Sequence, residues 1–255
     1  MIRAMAAQSD IVTAAVLVIG DEILSGRTQD ENSHYIARYL AEMGVDLREV
    51  RVVPDVEDEI VAAVDALRGR YDYVFTTGGI GPTHDDITAD AIARAFGVPI
   101  DEDPRAIAML LERLKLDQLN AARRRMARIP KGAELVENSL TKAPGFMIGN
   151  VIVMAGVPMI MHLMLDAAAP KLKTGARVLV ETIDAAGVPE GKYAEGLTAL
   201  AAAHSEVSAG SYPHFSPAGV HNEIVLRSRD AAALVLASAA VRELLESLRG
   251  DGATC

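Results

Sequence analysis

Between residues 13 and 96 the sequence alternates three times between a strand-like and a helix-like run, and that order leaves few architectures open. "TAAVLVIG" (13–20) is continuously apolar and ends in glycine, the mark of a strand covered on both faces of a parallel sheet. In "DENSHYIARYLAEMG" (30–44), Ile36, Leu40 and Met43 recur at helical spacing and Gly44 supplies a stop. "VDLREVRVV" (45–53) alternates as a strand does, and "PDVEDEIVAAVDALRG" (54–69) opens with proline and acids and closes with glycine, as a helix does. "YDYVFTTG" (71–78) is a third strand, and a further helix follows Asp85. The order β-α-β-α-β-α predicts a doubly wound sheet with right-handed crossovers.

The pattern then loosens. Residues 103–129 read as a long helical stretch broken near Leu116, "GAELVENS" and "GFMIGNVIVMAG" as a pair of strands, and "VPMIMHLMLDAAAPKL" as a helix. A shift follows Lys173–Thr174–Gly175. Strand (177–183), helix (190–203), strands (206–213 and 220–229) and helix (230–248) predict a small α+β unit. Two domains are expected, 11–173 and 174–250.

The net charge of −10 repels phosphate backbones, so nucleic acid is not an expected partner. The single cysteine, Cys255, excludes an internal disulfide. "MIRAMAAQSD" is too short and polar for a signal peptide. The most apolar stretch, 151–169, is interrupted by Gly156, Pro158 and His162 and reads as strand, turn and helix, with no membrane association. A cytoplasmic protein is the expectation.

In an open α/β sheet, ligands sit beyond the carboxyl ends of the strands. Three unusual loops fall there: "GDEILSG" (20–26), "TTGGIGPTHDD" (76–86) and "AGVP" (155–158). Gly78, Gly79 and Gly81 let a backbone approach a ligand closely and present N–H groups to an anion. The following helix adds its positive end. Thr76, Thr77 and Thr83 add hydroxyls. Asp85 and Asp86 would repel phosphate unless a divalent cation bridges them, Mg²⁺ being the usual one, with Asp21 and Glu22 across the cleft.

Other readings stand beside these. Asp85 or Asp86 would equally serve as a helix cap. "ARRRMAR" (122–128) is either a solvated helix face or an attractor of phosphate. His204, His214 and His221 lack metal-ligand spacing and read as surface or packing residues, and neither His34 nor His84 is assigned as a base. The methionines of 154–164 read as core filling.

"VLVIGDEILSGRTQDENSHYIARYLAEMG" and "YDYVFTTGGIGPTHDDITADAIARAFGVPI" resemble the molybdopterin-binding domain of molybdenum-cofactor biosynthesis proteins, and most closely the N-terminal domain of the competence/damage-inducible (CinA) family. The likeness runs through "PKGAELVENSLTKAPGF" and "AGVP" and, more weakly, through "GVPEGKYAEGLTAL" and "VSAGSYP". It implies a three-layer, mostly parallel α/β domain with a smaller C-terminal α+β domain, a phosphorylated nucleotide or pterin (molybdopterin among them) as ligand, and a homo-oligomer.

By motif, Asp86 matches the key acid of the family's glycine-aspartate loop and Asp21 and Glu22 its "GDE". The resemblance implies Asp86, Asp85 and Glu22 as catalytic and metal-binding groups. It implies Gly20, Asp21, Thr76, Thr77, Gly78, Gly79, Gly81, Thr83, Gly156 and Pro158 as ligand-binding ones. The activity implied is metal-dependent ADP-ribose pyrophosphatase, with Mg²⁺, Mn²⁺ or Co²⁺. The alternatives are a non-catalytic carrier and molybdenum-cofactor synthesis by adenylyl transfer or molybdate insertion.

The sequence departs from the family pattern. Ala155 and Ile160 stand where "PGVPxEM" has proline and glutamate, Lys142 where a small polar residue is usual, and Met126 for a glutamine. These changes suggest altered ligand preference or weakened catalysis. The family's deamidase domain does not follow, so no deamidase activity is expected.

Overall fold

The structure is a computed structural model describing residues 11–216 and 219–250. It divides into two compact units between Gly175 and Ala176.

In the first unit β1 (Val12–Ile19), the four-residue α1 (Asp21–Leu24), α2 (Asn32–Glu42), β2 (Val45–Val53), α3 (Glu57–Arg68), β3 (Tyr73–Thr77) and α4 (Thr88–Phe96) follow the alternating pattern. Then come β4 (Ile100–Glu102), α5 (Pro104–Leu111), a 3₁₀ turn at Leu116–Gln118, α6 (Ala121–Arg125), β5 (Arg128–Pro130), β6 (Glu134–Val136), β7 (Gly145–Ile148), β8 (Val151–Met154), α7 (Pro158–Ala168) and a second 3₁₀ turn at Ala169–Lys171. The main sheet runs β2-β1-β3-β8-β7-β6. Its first four strands run parallel, β7 is reversed against β8, and β6, antiparallel to β7, returns to the direction of the first four.

The three layers follow from side-chain alternation in the central strands. Leu17, Ile19 and Val74 point into a core shared with Ile60, Val64 and Leu67 of α3 and Ile92 of α4. Val16, Val18 and Phe75 point the other way, onto Ile36 and Leu40 of α2 and Met161 and Leu165 of α7. Both faces are covered, so β3 is buried throughout, whereas the edge strand β2 alternates. Sequence periodicity registers that difference directly.

The stretch 103–129 differs from the helical expectation. Asn120 ends any continuous helix because its side chain accepts the Arg123 N–H at 3.0 Å and starts α6 afresh. Arg128–Pro130 pairs antiparallel with β4, which no local pattern encodes. The expected pair of strands in 132–156 is three, because β7 and β8 form a hairpin. Met154, Met161 and Met164 fill core, but Met159 is 64% exposed.

The second unit is β9 (Leu179–Asp184), α8 (Glu190–Ala203), β10 (Ser208–Ser216), β11 (Gly219–Ser228) and α9 (Ala231–Gly250). Its antiparallel sheet has the order β10-β11-β9. Ile224, Leu226, Val241, Leu245 and Tyr193 form its core, and the Tyr193 hydroxyl meets Ser211 Oγ at 2.9 Å. Among the described residues no helix is long and apolar enough to cross a membrane.

Lys142 is the one described residue other than glycine with positive φ, at 62°. Its ammonium lies 2.8 Å from both Glu112, which ends α5, and Glu137, and these carboxylates hold the amine above its ordinary pKa. The Glu112 pair fastens the 137–142 loop to the end of α5, the Glu137 pair closes that loop on itself, and the left-handed backbone favours glycine. Lys142→Gly gives up the pairs but relieves the backbone, while Lys142→Ala gives up the pairs only. The glycine variant is expected to melt roughly 2–4 °C above the alanine variant, read by calorimetry.

Candidate functional site

The neighbouring strands β2, β1, β3 and β8 end together, and short bonds tie their loops. Gly20 N–H donates to the Val53 carbonyl at 3.2 Å, and Gly78 N–H to the Met154 carbonyl at 3.2 Å. Asn32, at the start of α2, donates from Nδ2 to the Gly156 carbonyl at 2.7 Å. Gly78 has φ 101°, and a Cβ there would strike the carbonyl oxygen of Ile19. A Cβ on Gly156 would lie 3.3 Å from Gly78 Cα. Three loops therefore meet at one residue that tolerates no side chain.

The glycine loop is braced from the helix side. Thr88 is fully buried; its hydroxyl donates to the Gly78 carbonyl and its N–H to the Gly79 carbonyl, each at 3.0 Å. Gly79 has φ 67°, and a Cβ there would collide with the Thr88 hydroxyl. The N–H groups of Gly79, Ile80 and Gly81 find no acceptor among the described residues.

Neither aspartate caps α4, whose N-cap is Ile87 and carries no side-chain cap bond. Asp86 instead closes the loop on itself: its carboxylate accepts from the Thr83 N–H at 2.8 Å and the Thr83 hydroxyl at 2.6 Å. Asp85 is the alternative acceptor for that one hydroxyl hydrogen, which draws its carboxyl below the usual carboxylate range, and its side chain is 65% exposed.

A cleft of about 610 Å³ lies over these loops, within the range of roughly 300–1,000 Å³ common for small-molecule sites. Of the residues expected from sequence, Glu22, Gly78, Gly79, Gly81, Asp86, Gly156 and Pro158 line it together. Gly20, Asp21, Thr83 and Asp85 are not in the lining. Thr76 and Thr77 are buried in β3, and their hydroxyls have no partner among the described residues. Asp85, Asp86 and Glu22 do not make a metal cage: among the described residues no group of three or more His, Cys, Asp or Glu could hold an ion.

Residues outside the expected set complete the site. Leu110, Leu114, Met126, Ile160 and Met164 add apolar lining, the first three from one core of the sheet and the last two from the other. Asn138, which also lines the cleft, is fully buried and saturated: its Oδ1 accepts from the Leu140 and Thr141 N–H groups, and its Nδ2 donates to the Thr141 hydroxyl and the Ala143 carbonyl. Asp55 accepts the Asp21 N–H at 2.9 Å. Burial pushes its carboxyl above the ordinary range, with added repulsion from Asp21, Glu22 and Asp85. "PDVED" directly follows a strand, so the strand-end argument applied to the other loops would have found Asp55.

The arginines of 122–128 are engaged rather than a free solvated face. Arg124 pairs with Glu102 and Arg128 with Asp90, each at 2.6 Å. Arg123 lines the cleft, and Arg125 donates to the Asp86 carbonyl at 3.2 Å. His84 is almost fully exposed, and His214 and His221 lie beside Glu223 in the second unit.

Gly78→Ala is expected to cost about 3 kcal/mol, because the methyl must displace strand backbone rather than a mobile side chain; chemical denaturation measures it. For Asp55 the folded-state pKa is raised, so ionisation costs stability as pH rises above the unfolded value. Asp55→Asn keeps an acceptor for the Asp21 N–H and removes the charge. The variant is expected to melt higher than the parent at neutral pH, with the gain fading as pH falls to about 4. A gain independent of pH would contradict the charge explanation.

Residues 15–174 match the model of the probable molybdopterin binding domain, and residues 177–250 that of the FAD synthase middle domain. The chain is 32% identical to a probable FAD synthase of Caenorhabditis elegans over 260 residues, which is 91% of this chain and 50% of that protein. It is 35% identical to a CinA-like protein of Desulfosudis oleivorans over 204 residues, 74% of this chain and 49% of that one. It therefore spans about half the length of these curated relatives. The crystal structure of the protein CinA from Thermoplasma acidophilum, of unknown function, superposes with a TM-score of 0.59 at 35% identity, covering 63% of this chain and 98% of that one. With the glycine-aspartate loop at the strand ends and this match over most of its length, the chain belongs to the molybdopterin-binding domain family.

Proposed function

We propose that the cleft binds the phosphates of a nucleotide- or pterin-type ligand and, with a divalent cation, hydrolyses a pyrophosphate bond in such a compound. The observation that carries this reading is the run of N–H groups at Gly79, Ile80 and Gly81, all in cleft-lining residues and all without an acceptor among the described residues. Oriented backbone donors of this kind suit phosphate oxygens. The family supports a pterin, and the relatives named as FAD synthases support a dinucleotide such as FAD beside ADP-ribose.

The donor set suits a cation held jointly by protein and ligand. Mg²⁺ is commonly bound by one or two carboxylates together with phosphate oxygens, and Glu22 and Asp86 face one cleft. These two residues would hold Mg²⁺, Mn²⁺ or Co²⁺, which when bound neutralises phosphate charge and polarises the phosphoryl group. The glycine loop orients the pyrophosphate, Arg125 fixes the backbone at Asp86, and Glu22 orients water. The water oxygen bonds to one phosphorus and the bridging P–O bond breaks. ADP-ribose then yields AMP and ribose 5-phosphate, and FAD yields AMP and FMN. Homo-oligomerisation belongs to the same family-based proposal.

A non-catalytic carrier is the second reading, favoured by the absence of a preassembled metal cage among the described residues and by an apolar residue at 160. AMP release from ADP-ribose and from FAD, with and without each metal, separates the two. Metal-dependent AMP that falls by about tenfold or more in Glu22→Gln and in Asp86→Asn is expected. AMP release at the parent rate in both variants overturns the site. Tight binding without AMP under any metal leaves the carrier.

A further inference from the structure

We infer that the open face of the second unit's sheet docks a second copy of this chain, the two faces stacking about a two-fold axis that runs across the strands. The surface stands apart from the cleft and its ligand, and it gives the proposed self-association a definite place.

Helices cover one face of that sheet. Ile183, Ile224 and Leu226 share a core with Tyr193 of α8 and with Val241 and Leu245 of α9. Side chains alternate along a strand, so the residues between them stand on the other face. There Thr182, Asp184 and His214 are exposed, as are Val180 by 57% and Tyr212 by 42%.

The charges of this open face are sorted along β11. Glu223 lies opposite Asp184 of β9, and like charges facing each other on neighbouring strands repel. His214 Nε2 is 3.2 Å from Glu223 and His221 Nδ1 is 3.6 Å from Asp184, but a histidine offsets an acid only when protonated. Four residues from Glu223, about 13 Å along the strand, stands Arg227. Its guanidinium lies over the Tyr212 ring and donates to the Tyr212 hydroxyl at 3.1 Å. No carboxylate pairs with it among the described residues. One copy therefore leaves a base at one end of the face and two acids at the other.

A second copy, turned end for end over this face, closes those charges. Val225 lies midway between Glu223 and Arg227, and its neighbours across the sheet are Thr182 and Gly210. An axis along that row places each Arg227 over Glu223 of the partner subunit, and the contact occurs twice because a two-fold interface meets itself. The axis row is small and uncharged, so the sheets can approach to the usual spacing of about 10 Å. Val180 and Tyr212 are then covered. Three strands make a modest face, so the dimer is a reversible one.

The test is analytical ultracentrifugation of the full chain over a concentration series, for the parent, Arg227→Glu, Glu223→Arg and an equal mixture of the two variants. The parent is expected to associate reversibly. Each variant alone is expected to associate about tenfold or more weakly, because like charges now face each other across the axis. The mixture is expected to recover the parent's association within about threefold, since one chain then offers acids at both ends and the other offers bases. Recovery on mixing also shows that both variants are folded. Variants that associate as strongly as the parent overturn this surface while leaving self-association elsewhere on the chain. A mixture no heavier than its components overturns the two-fold stacking. A parent that stays monomeric throughout overturns self-association itself.

Discussion

The carbonyl oxygen of Ile19 occupies the space where any residue but glycine would carry its Cβ at position 78. That contact lets the ends of β1 and β3 close to backbone distance, and the rest of the site is assembled around it. With Gly78 in place, Thr88 reaches the carbonyls of Gly78 and Gly79 from the start of α4, and Gly156 approaches from β8. The carbonyls of Gly78 and Gly79 are then engaged by Thr88, while the N–H groups of Gly79, Ile80 and Gly81 keep no acceptor among the described residues. Site geometry and fold stability are in this respect the same interaction.

What the sequence made legible follows from how local each signal is. β1 and β3 are buried on both faces, and a continuous apolar run has no other economical place in a soluble chain. The glycine-aspartate loop was legible because glycines at a strand end demand a reason. The segment 103–130 was not, since its breaks depend on the Asn120 cap and on the pairing of β5 with β4 across the chain. The apolar lining was hidden for the opposite reason: Leu110, Leu114 and Ile160 have the periodicity of ordinary core, and only the tertiary arrangement brings them to one cleft.

The departures from the family pattern separate once their contacts are known. Lys142 does not add positive charge to the cleft, because Glu112 and Glu137 hold it. Arg124 and Arg128 are likewise consumed by acids, while Arg123 lines the cleft and Arg125 donates to the Asp86 carbonyl. Ile160 lines the cleft and packs, partly buried, against the core shared with α2 and α7.

The saturation of Asn138 also has a kinetic meaning. A loop whose single buried amide satisfies four backbone and side-chain groups has little conformational freedom left to lose. A ligand entering the cleft beside this loop would meet a preorganised surface and spend little entropy ordering it. Under the proposed binding, association beside this loop would be governed by diffusion and orientation rather than by waiting for a rare open form.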